Sequence, residues 1–154
     1  MINYESSTHA PDLHSALEPG GYLELQDIHL PYKCDDDSMA GTQVERCGQL
    51  SVESSVALNR PLNVASTYKD IMRKVGFVDV IERQFKWPIG PWAKEKHFKE
   101  IGHWSKANLD VGLEGLLMAL LTRGLGWSKE AVLVFCALVR QDLKDPRIHA
   151  YVPL

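Results

Sequence analysis

The stretch YLELQDI, residues 22–28, decides the fold expected for this chain. Its leucines alternate with polar residues, which is the side-chain period of a β-strand with one wetter face. It follows the tetrapeptide EPGG at 18–21, where a proline and two glycines end a short helix predicted over residues 11–17. We therefore expect a strand over residues 22–28 and a loop after it.

The rest of the chain alternates helical and extended patterns. The spacing of apolar residues predicts helices over 41–59, 66–75 and 91–126, with a break near 112–115, and a helix capped by Ser128 whose apolar stripe is Val132, Phe135, Val139 and Leu143. Within the long helical insert the run LLMALL, residues 116–121, is apolar all round and is expected to be buried. Branched and aromatic residues predict strands over 77–87 and 147–152. This order of elements indicates an α/β fold.

Composition narrows the class of protein. The chain has 154 residues, 45% of them hydrophobic, and its 17 basic and 20 acidic residues give a net charge of −3 without a long block of either sign. Neither nucleic acid nor an anionic membrane is therefore expected as a partner. Three widely spaced cysteines favour a reducing compartment, and no signal peptide or membrane-spanning run is apparent, so a cytoplasmic protein is expected.

Three stretches carry a family resemblance. They are LEPGGYLELQDI (17–28), GFVDVIERQFKWPIGPW (76–92) and GLEGLLMALLTRGLGWS (112–128), the last followed by RIHAYVPL at 147–154. Together they resemble the fungal S-adenosylmethionine-dependent class I methyltransferases, and among these the LaeA-like group associated with secondary metabolism. The resemblance implies a partial Rossmann-like fold, a single truncated domain over residues 1–154. Its three-stranded sheet would have the family's strands in the order 5, 7, 6, formed by residues 22–27, 148–152 and 78–87.

The resemblance also implies a cofactor, whose binding segment the sequence lacks. In the family, a glycine-rich loop after the first strand and an acidic residue beyond it hold S-adenosylmethionine. A nucleoside cofactor needs glycines where its backbone comes close and a carboxylate for the ribose hydroxyls. Gly20-Gly21 is a turn into a strand and not a strand-to-helix loop. We therefore expect no bound cofactor.

The open edge of the predicted sheet suggests a partner. In the intact fold a fourth strand pairs with residues 22–28, and no such strand is predicted here. Unpaired backbone groups along an edge must be covered or paired. A homodimer through the open sheet edge is expected, either with two three-stranded sheets meeting or with N-terminal segments exchanged.

One group of candidate site residues follows the first predicted strand. Gln26, Asp27 and His29 lie at its carboxyl end, where open α/β sheets bind ligands. Asp27 and His29 are candidate catalytic residues and Gln26 a candidate substrate-binding residue. The alternative is that the polar side chains only satisfy amides of the loop.

A second group lies on or beside the helical insert. His103 is a candidate acid–base residue, with Trp104 and Asn108 as substrate-binding neighbours on the same helix. The alternative is a surface histidine beside a core tryptophan. Glu114 is either a partly buried catalytic carboxylate or the cap of a helix start, and Trp92 either packs or stacks on a flat ligand.

Metal binding and nucleophilic catalysis have no support in the sequence. The three adjacent aspartates, residues 35–37, lack the spacing of a calcium loop and are expected to form a solvated acidic loop. No cysteine is paired with a histidine, and no GxSxG motif occurs.

These observations lead to three functional hypotheses. The first is a methyltransferase-like protein of fungal secondary metabolism that no longer binds S-adenosylmethionine and isomerises or cyclises a polyketide-like small molecule by acid–base catalysis. The second is a methyltransferase fragment completed by a partner chain. The third is a non-catalytic interaction subunit.

Overall fold

Four α-helices and two short strands make up residues 15–154, the part of the chain that the computed structural model describes. The helices are α1 (Gln43–Ala57), α2 (Tyr68–Lys74), α3 (Lys96–Ala119) and α4 (Lys129–Asp142), and the strands are β1 (Lys86–Pro88) and β2 (Tyr151–Pro153). Single turns of tighter or wider helix cover Asp37–Met39, Ala65–Thr67 and Leu120–Gly124. The short helix predicted over residues 11–17 lies mostly outside the described range. Within that range, no helix has both the length and the apolarity needed to cross a membrane.

Small side chains let α1 pack closely against its neighbours. A Cβ atom built on Gly124 would lie 2.7 Å from the Ser54 carbonyl oxygen, so the wide helical turn runs directly over α1. The buried Ser51 and Ser54 hydroxyls donate to main-chain carbonyls one turn back, which satisfies them inside the core. The serine-rich face of α1 is therefore the face of closest packing, although it is a weak apolar stripe in sequence.

Helix α4 forms as predicted. The Ser128 hydroxyl accepts a hydrogen bond from the Ala131 amide at 3.2 Å, which caps the first turn. The predicted apolar stripe is buried in full: Val132, Phe135, Val139 and Leu143. This stripe and α1 share one core with α3, and each such side chain contributes about 1.5–3 kcal/mol by leaving water.

The predicted break in the helical insert is wrong. Helix α3 runs without interruption through Gly112 and Gly115, and the irregular turn comes later, at Leu120–Gly124. Burial of Leu113 and Leu117 on one face outweighs the cost of about 1 kcal/mol that each glycine adds to a helix. The run at 116–121 is also only half buried, since Leu116 is 39% exposed while Leu117 and Leu121 are fully buried.

The predicted three-stranded sheet is reduced to two strands. β1 and β2 pair antiparallel, with Trp87 opposite Val152, as predicted for the last strand and one neighbour. On the other side of β2 only Lys33 forms a bridge, to Tyr151. Residues 22–28 do not form a strand. Within the described residues, no other segment forms backbone hydrogen bonds with them. The same holds for most of the strand predicted over 77–87.

The acidic loop at 35–37 is not simply solvated, because its side chains form hydrogen bonds with β1, β2 and the residues before β2. The Asp35 carboxylate accepts hydrogen bonds from Lys86 and from the Tyr151 hydroxyl. Asp36 accepts from the Cys34 thiol at 2.8 Å and lies 2.6 Å from Nδ1 of His149. Hydrogen bonds from Cys34, Ser38 and His149 hold the pKa of the Asp36 carboxyl far below its usual range. Two adjacent aspartates thus tie the loop to both strands.

The close approach of α3 to the chain before it predicts opposite effects for two glycines. A Cβ on Gly102 would lie 2.0 Å from the Gly90 carbonyl oxygen, whereas one on Gly112 would meet nothing within 4 Å. We expect Gly102→Ala to destabilise the chain by about 1–3 kcal/mol or more and Gly112→Ala to stabilise it by up to about 1 kcal/mol. Urea denaturation of both variants measures this. Equal effects of the two substitutions would contradict the packing described here.

Acid should weaken the hydrogen bonds through which Asp36 holds the loop to the residues before β2. The lowered pKa of Asp36 means that its contribution to stability is present above the unfolded-state pKa of about 3.9 and is lost as the pH falls below it. We expect Asp36→Asn to flatten the dependence of unfolding free energy on pH below about 4. Asp37→Asn is the control, because Asp37 makes none of these hydrogen bonds. Unfolding curves collected from neutral to acid pH give the comparison, and an unchanged slope for Asp36→Asn would refute the assignment.

Candidate functional site

A groove runs between the two segments that fail to pair as strands. It has a volume of about 770 Å³, within the range of small-molecule sites, and we call it the sheet-edge groove. Its lining residues are Leu23–Asp27, His29, Lys33, Ala65, Ser66, Tyr68, Lys69, Met72, Val80–Phe85, Trp87, Pro153 and Leu154. Residues 23–27 form one wall, residues 80–85 form the other, and the end of β2 closes one end.

The Asp27 carboxylate in the groove is held by two hydrogen bonds. Its Oδ2 accepts a hydrogen bond from the Tyr68 hydroxyl at 2.6 Å, and its Oδ1 accepts one from the Ile28 amide at 2.8 Å. An ionised carboxylate has about four lone-pair positions, so acceptor capacity is left for a ligand hydroxyl or amine. Helix α2 thus fixes the carboxylate at the carboxyl end of the segment predicted as a strand.

His29 lies at the closed end of the same groove. Its amide donates to the Pro153 carbonyl at 2.9 Å, which ties the residue to β2. Its Nδ1 atom is buried and has no hydrogen-bond partner in the described structure. A buried ring nitrogen without a partner costs the folded chain free energy, so His29 is held there by its backbone bond and by packing.

The structure brings together one of the two predicted groups. Gln26, Asp27 and His29 all line the sheet-edge groove, although Gln26 also donates to Glu24 at 2.6 Å. Tyr68 joins them, although nothing in the sequence marks it as a site residue. Its spacing on α2 is that of an apolar stripe, and no sequence signal links it to Asp27, 41 residues away.

The second predicted group lies elsewhere. His103 and Asn108 are exposed on α3, and Trp104 is 66% exposed, so the expectation of a core tryptophan there is wrong. The His103 and Trp104 rings contact each other edge to face, with centroids 5.8 Å apart. None of the three lines the sheet-edge groove.

Glu114 and Trp92 are held by structural contacts. Glu114 lies in the middle of α3, exposed, with its Oε1 2.6 Å from Nη1 of Arg140, so it is neither a buried carboxylate nor a helix cap. The Trp92 indole nitrogen donates to the Ala150 carbonyl at 3.0 Å, and its ring contacts His149. Trp92 thus anchors the chain before α3 to the residue preceding β2.

The start of helix α1 has no spare amides for a nucleoside cofactor. Such a group commonly binds helix amides that follow a glycine. In the described chain, Gly41 has φ 73° just before α1, but its amide donates to Glu45, the Gln43 amide donates to Asp142, and the Glu45 amide donates to Thr42. These donors are therefore already satisfied. Across residues 15–154 there is likewise no cluster of three His, Cys, Asp or Glu side chains suited to a metal ion.

Comparison with known proteins gives the family. The chain is 32% identical to a probable methyltransferase, tdiE, of Emericella nidulans, over 91% of its own length and 44% of that protein. It is 29% identical to the methyltransferase pytC of Aspergillus terreus and 31% identical to the secondary metabolism regulator LAE1 of Cochliobolus heterostrophus. These matches cover 89% and 90% of the chain, and 43% and 46% of those proteins. The chain belongs to the LaeA-like methyltransferase family.

The family assignment rests on these relatives alone. No protein-family model and no solved structure matches the chain. The chain spans less than half the length of the curated relatives it matches. A further relative is the protein-methionine methyltransferase laeA of Emericella nidulans, 26% identical over 88% of the chain.

The satisfied α1 amides predict the behaviour of the chain toward the family's methyl donor. Calorimetric titration of the purified chain with S-adenosylmethionine, and in parallel with S-adenosylhomocysteine, should give no binding heat up to about millimolar ligand. The physical reason is that the amides of Gly41, Gln43 and Glu45 already donate to Glu45, Asp142 and Thr42 respectively. Micromolar binding would show that the chain forms a cofactor site in another way.

Proposed function

We propose that this LaeA-like protein acts on a small molecule of fungal secondary metabolism by proton transfer in the sheet-edge groove. The observation that carries the proposal is the oriented Asp27 carboxylate in the same groove as His29. A carboxylate and an imidazole are the pair of groups that acid–base catalysis uses most often. The family membership supports the metabolic context.

The reaction that this pair can perform without another reactant is isomerisation or cyclisation. Asp27 removes a proton from the bound molecule, and the imidazole of His29 returns one at a second atom, so the product has the composition of the substrate. The Tyr68 hydroxyl keeps the carboxylate in position. The apolar side chains of Leu23, Leu25 and Met72 line the same groove and offer apolar surface to the bound molecule.

A second candidate function is methyl transfer, in which Asp27 accepts the proton that a hydroxyl or amine acceptor loses. The observation that favours it is the similarity to proteins named as methyltransferases. In this case the methyl donor would be held by another polypeptide, because the amides of Gly41 and Gln43 are already satisfied. The two candidates share the groove and differ in their requirement for the donor.

One experiment tests both candidates on a mixture of fungal metabolites. The purified chain is incubated with a small-molecule extract of a fungal culture in D2O, with and without S-adenosylmethionine, and the extract is analysed by liquid chromatography and mass spectrometry. Isomerisation predicts a metabolite with a new retention time and incorporated deuterium. Methyl transfer predicts the mass of one added methyl group, only with the donor.

Variants connect the conversion to the groove. Asp27→Asn and Tyr68→Phe should slow it by roughly 10- to 100-fold, the loss expected for a hydrogen bond to a charged group. Glu53→Gln, on the exposed face of α1, is the control and should leave the rate unchanged. If no metabolite changes under either condition, the proposed function is wrong.

A further inference from the structure

Another, smaller cleft lies among the helices and is distinct from the sheet-edge groove. It has a volume of about 100 Å³. Its walls come from the start of α1, the residues after β1, the middle of α3 and the segment that joins α4 to β2. No residue lines both this cleft and the sheet-edge groove. A ligand of the smaller cleft is therefore independent of the proposed function.

Apolar side chains form much of the wall of this cleft. Ile89 and Leu143 are almost fully buried, and Trp92 and Ile148 are half-buried beside them. The Trp92 indole nitrogen already donates to the Ala150 carbonyl, so its polar group is satisfied and its ring offers apolar surface. A ligand in the cleft therefore meets side chains that favour an aliphatic body.

Two lysines without ionic partners line the same cleft, which we call the lysine cleft. Lys106 lies on α3 and is half-buried, and Lys144 follows α4 and is exposed. Over residues 15–154, neither ammonium group forms an ion pair. A lysine ammonium is a compact positive charge with three hydrogen-bond donors. Both lysines are thus available to an anionic group of a ligand.

The two aspartates that line the lysine cleft already have partners within the chain. Asp145 is bonded through both of its carboxylate oxygens to the Arg147 guanidinium. Asp142 accepts a hydrogen bond from the Gln43 amide at the start of α1, where the helix dipole is positive. The positive charge of the lysines is therefore the charge that a ligand meets without an existing partner.

The volume of the lysine cleft limits the size of its ligand. A cavity of about 150 Å³ lined by apolar side chains holds one benzene molecule. The lysine cleft is smaller, so it accommodates an aliphatic body of roughly four carbon atoms. An aromatic or long-chain acid exceeds this volume, and an inorganic anion leaves the apolar walls without a contact.

We propose that the lysine cleft binds a short-chain aliphatic carboxylate. The alkyl chain lies against Ile89, Trp92 and Leu143, and the carboxylate lies toward Lys106 and Lys144. Each half of the ligand matches one feature of the cleft, the apolar walls or the lysines that have no ionic partner. The ligand contacts helices α1, α3 and α4 and the segment before β2 at once, so binding favours the folded chain.

A series of small molecules tests the two halves of this recognition. Isovalerate is titrated into the nitrogen-labelled chain, and binding is followed by the Trp92 indole signal in proton–nitrogen correlation spectra. That signal is identified among those of the four tryptophans by its loss in Trp92→Phe. We expect saturation with a Kd of about 0.1–10 mM, which is ordinary for a ligand of this size.

Acetate and isovaleramide are the matched control ligands. Acetate keeps the charge and loses three carbons, so it should bind about 10- to 60-fold more weakly, given roughly a fourfold loss for each buried methylene. Isovaleramide keeps the body and loses the charge, and it should also bind more weakly. Acetate or isovaleramide that binds as tightly as isovalerate would overturn the proposal, as would the absence of any Trp92 shift.

Lysine substitutions connect binding to the cleft. The double variant Lys106→Met/Lys144→Met keeps much of both side-chain stems and should raise the Kd for isovalerate by about 2- to 25-fold, the product of two exposed charge contacts. Lys99→Met/Lys129→Met makes the same change of net charge outside the cleft and should leave Kd unchanged. Equal effects of the two double variants would contradict the site. Asp27→Asn, in the sheet-edge groove, should not alter isovalerate binding, so each proposal can fail without the other.

Discussion

The pairing of β2 on both of its sides is the interaction on which the rest of the structure depends. β2 is the only described strand with neighbours on two sides, β1 and the bridge at Lys33. The adjacent aspartates Asp35 and Asp36 reinforce it from the loop, through Lys86, Tyr151 and His149. Through these contacts a short strand holds together a loop, the segment before α3 and the C-terminal residues.

Close packing of helices sets the second constraint. Gly102 lets α3 cross the backbone at Gly90, and Gly124 lets the wide turn after α3 cross α1 at Ser54. Small residues at these crossings bring the larger side chains of α3 and α4 into one core. The helical insert is thus held to the sheet by β1 and Gly90, and His103 lies outside the groove.

The sheet-edge groove is a consequence of these two constraints. At the closed end Leu154 pairs with Phe85 and Pro153 accepts from His29, and the walls at 23–27 and 80–84 make no backbone hydrogen bond to each other. The groove therefore combines unpaired backbone, exposed apolar side chains and a fixed polar group at its closed end. This combination suits the binding of a small molecule beside Asp27.

The sequence by itself determined the elements with strong local signals. The cap at Ser128, the stripe of α4, the existence of the helical insert and the antiparallel pairing of the last strand with residues near Trp87 were all predictable. So was the grouping of Gln26, Asp27 and His29, because residues close in sequence after one extended segment share a neighbourhood. Only the tertiary structure decided the remaining features. A strand exists where its hydrogen bonds find a partner, which residues 22–28 lack within the described chain, and alternation alone could not reveal this. Glycines at 112 and 115 looked like a break, but burial of the leucines between and after them kept the helix whole. The contact of Tyr68 with Asp27 joins residues far apart in sequence, and such contacts follow from packing, which local patterns do not encode.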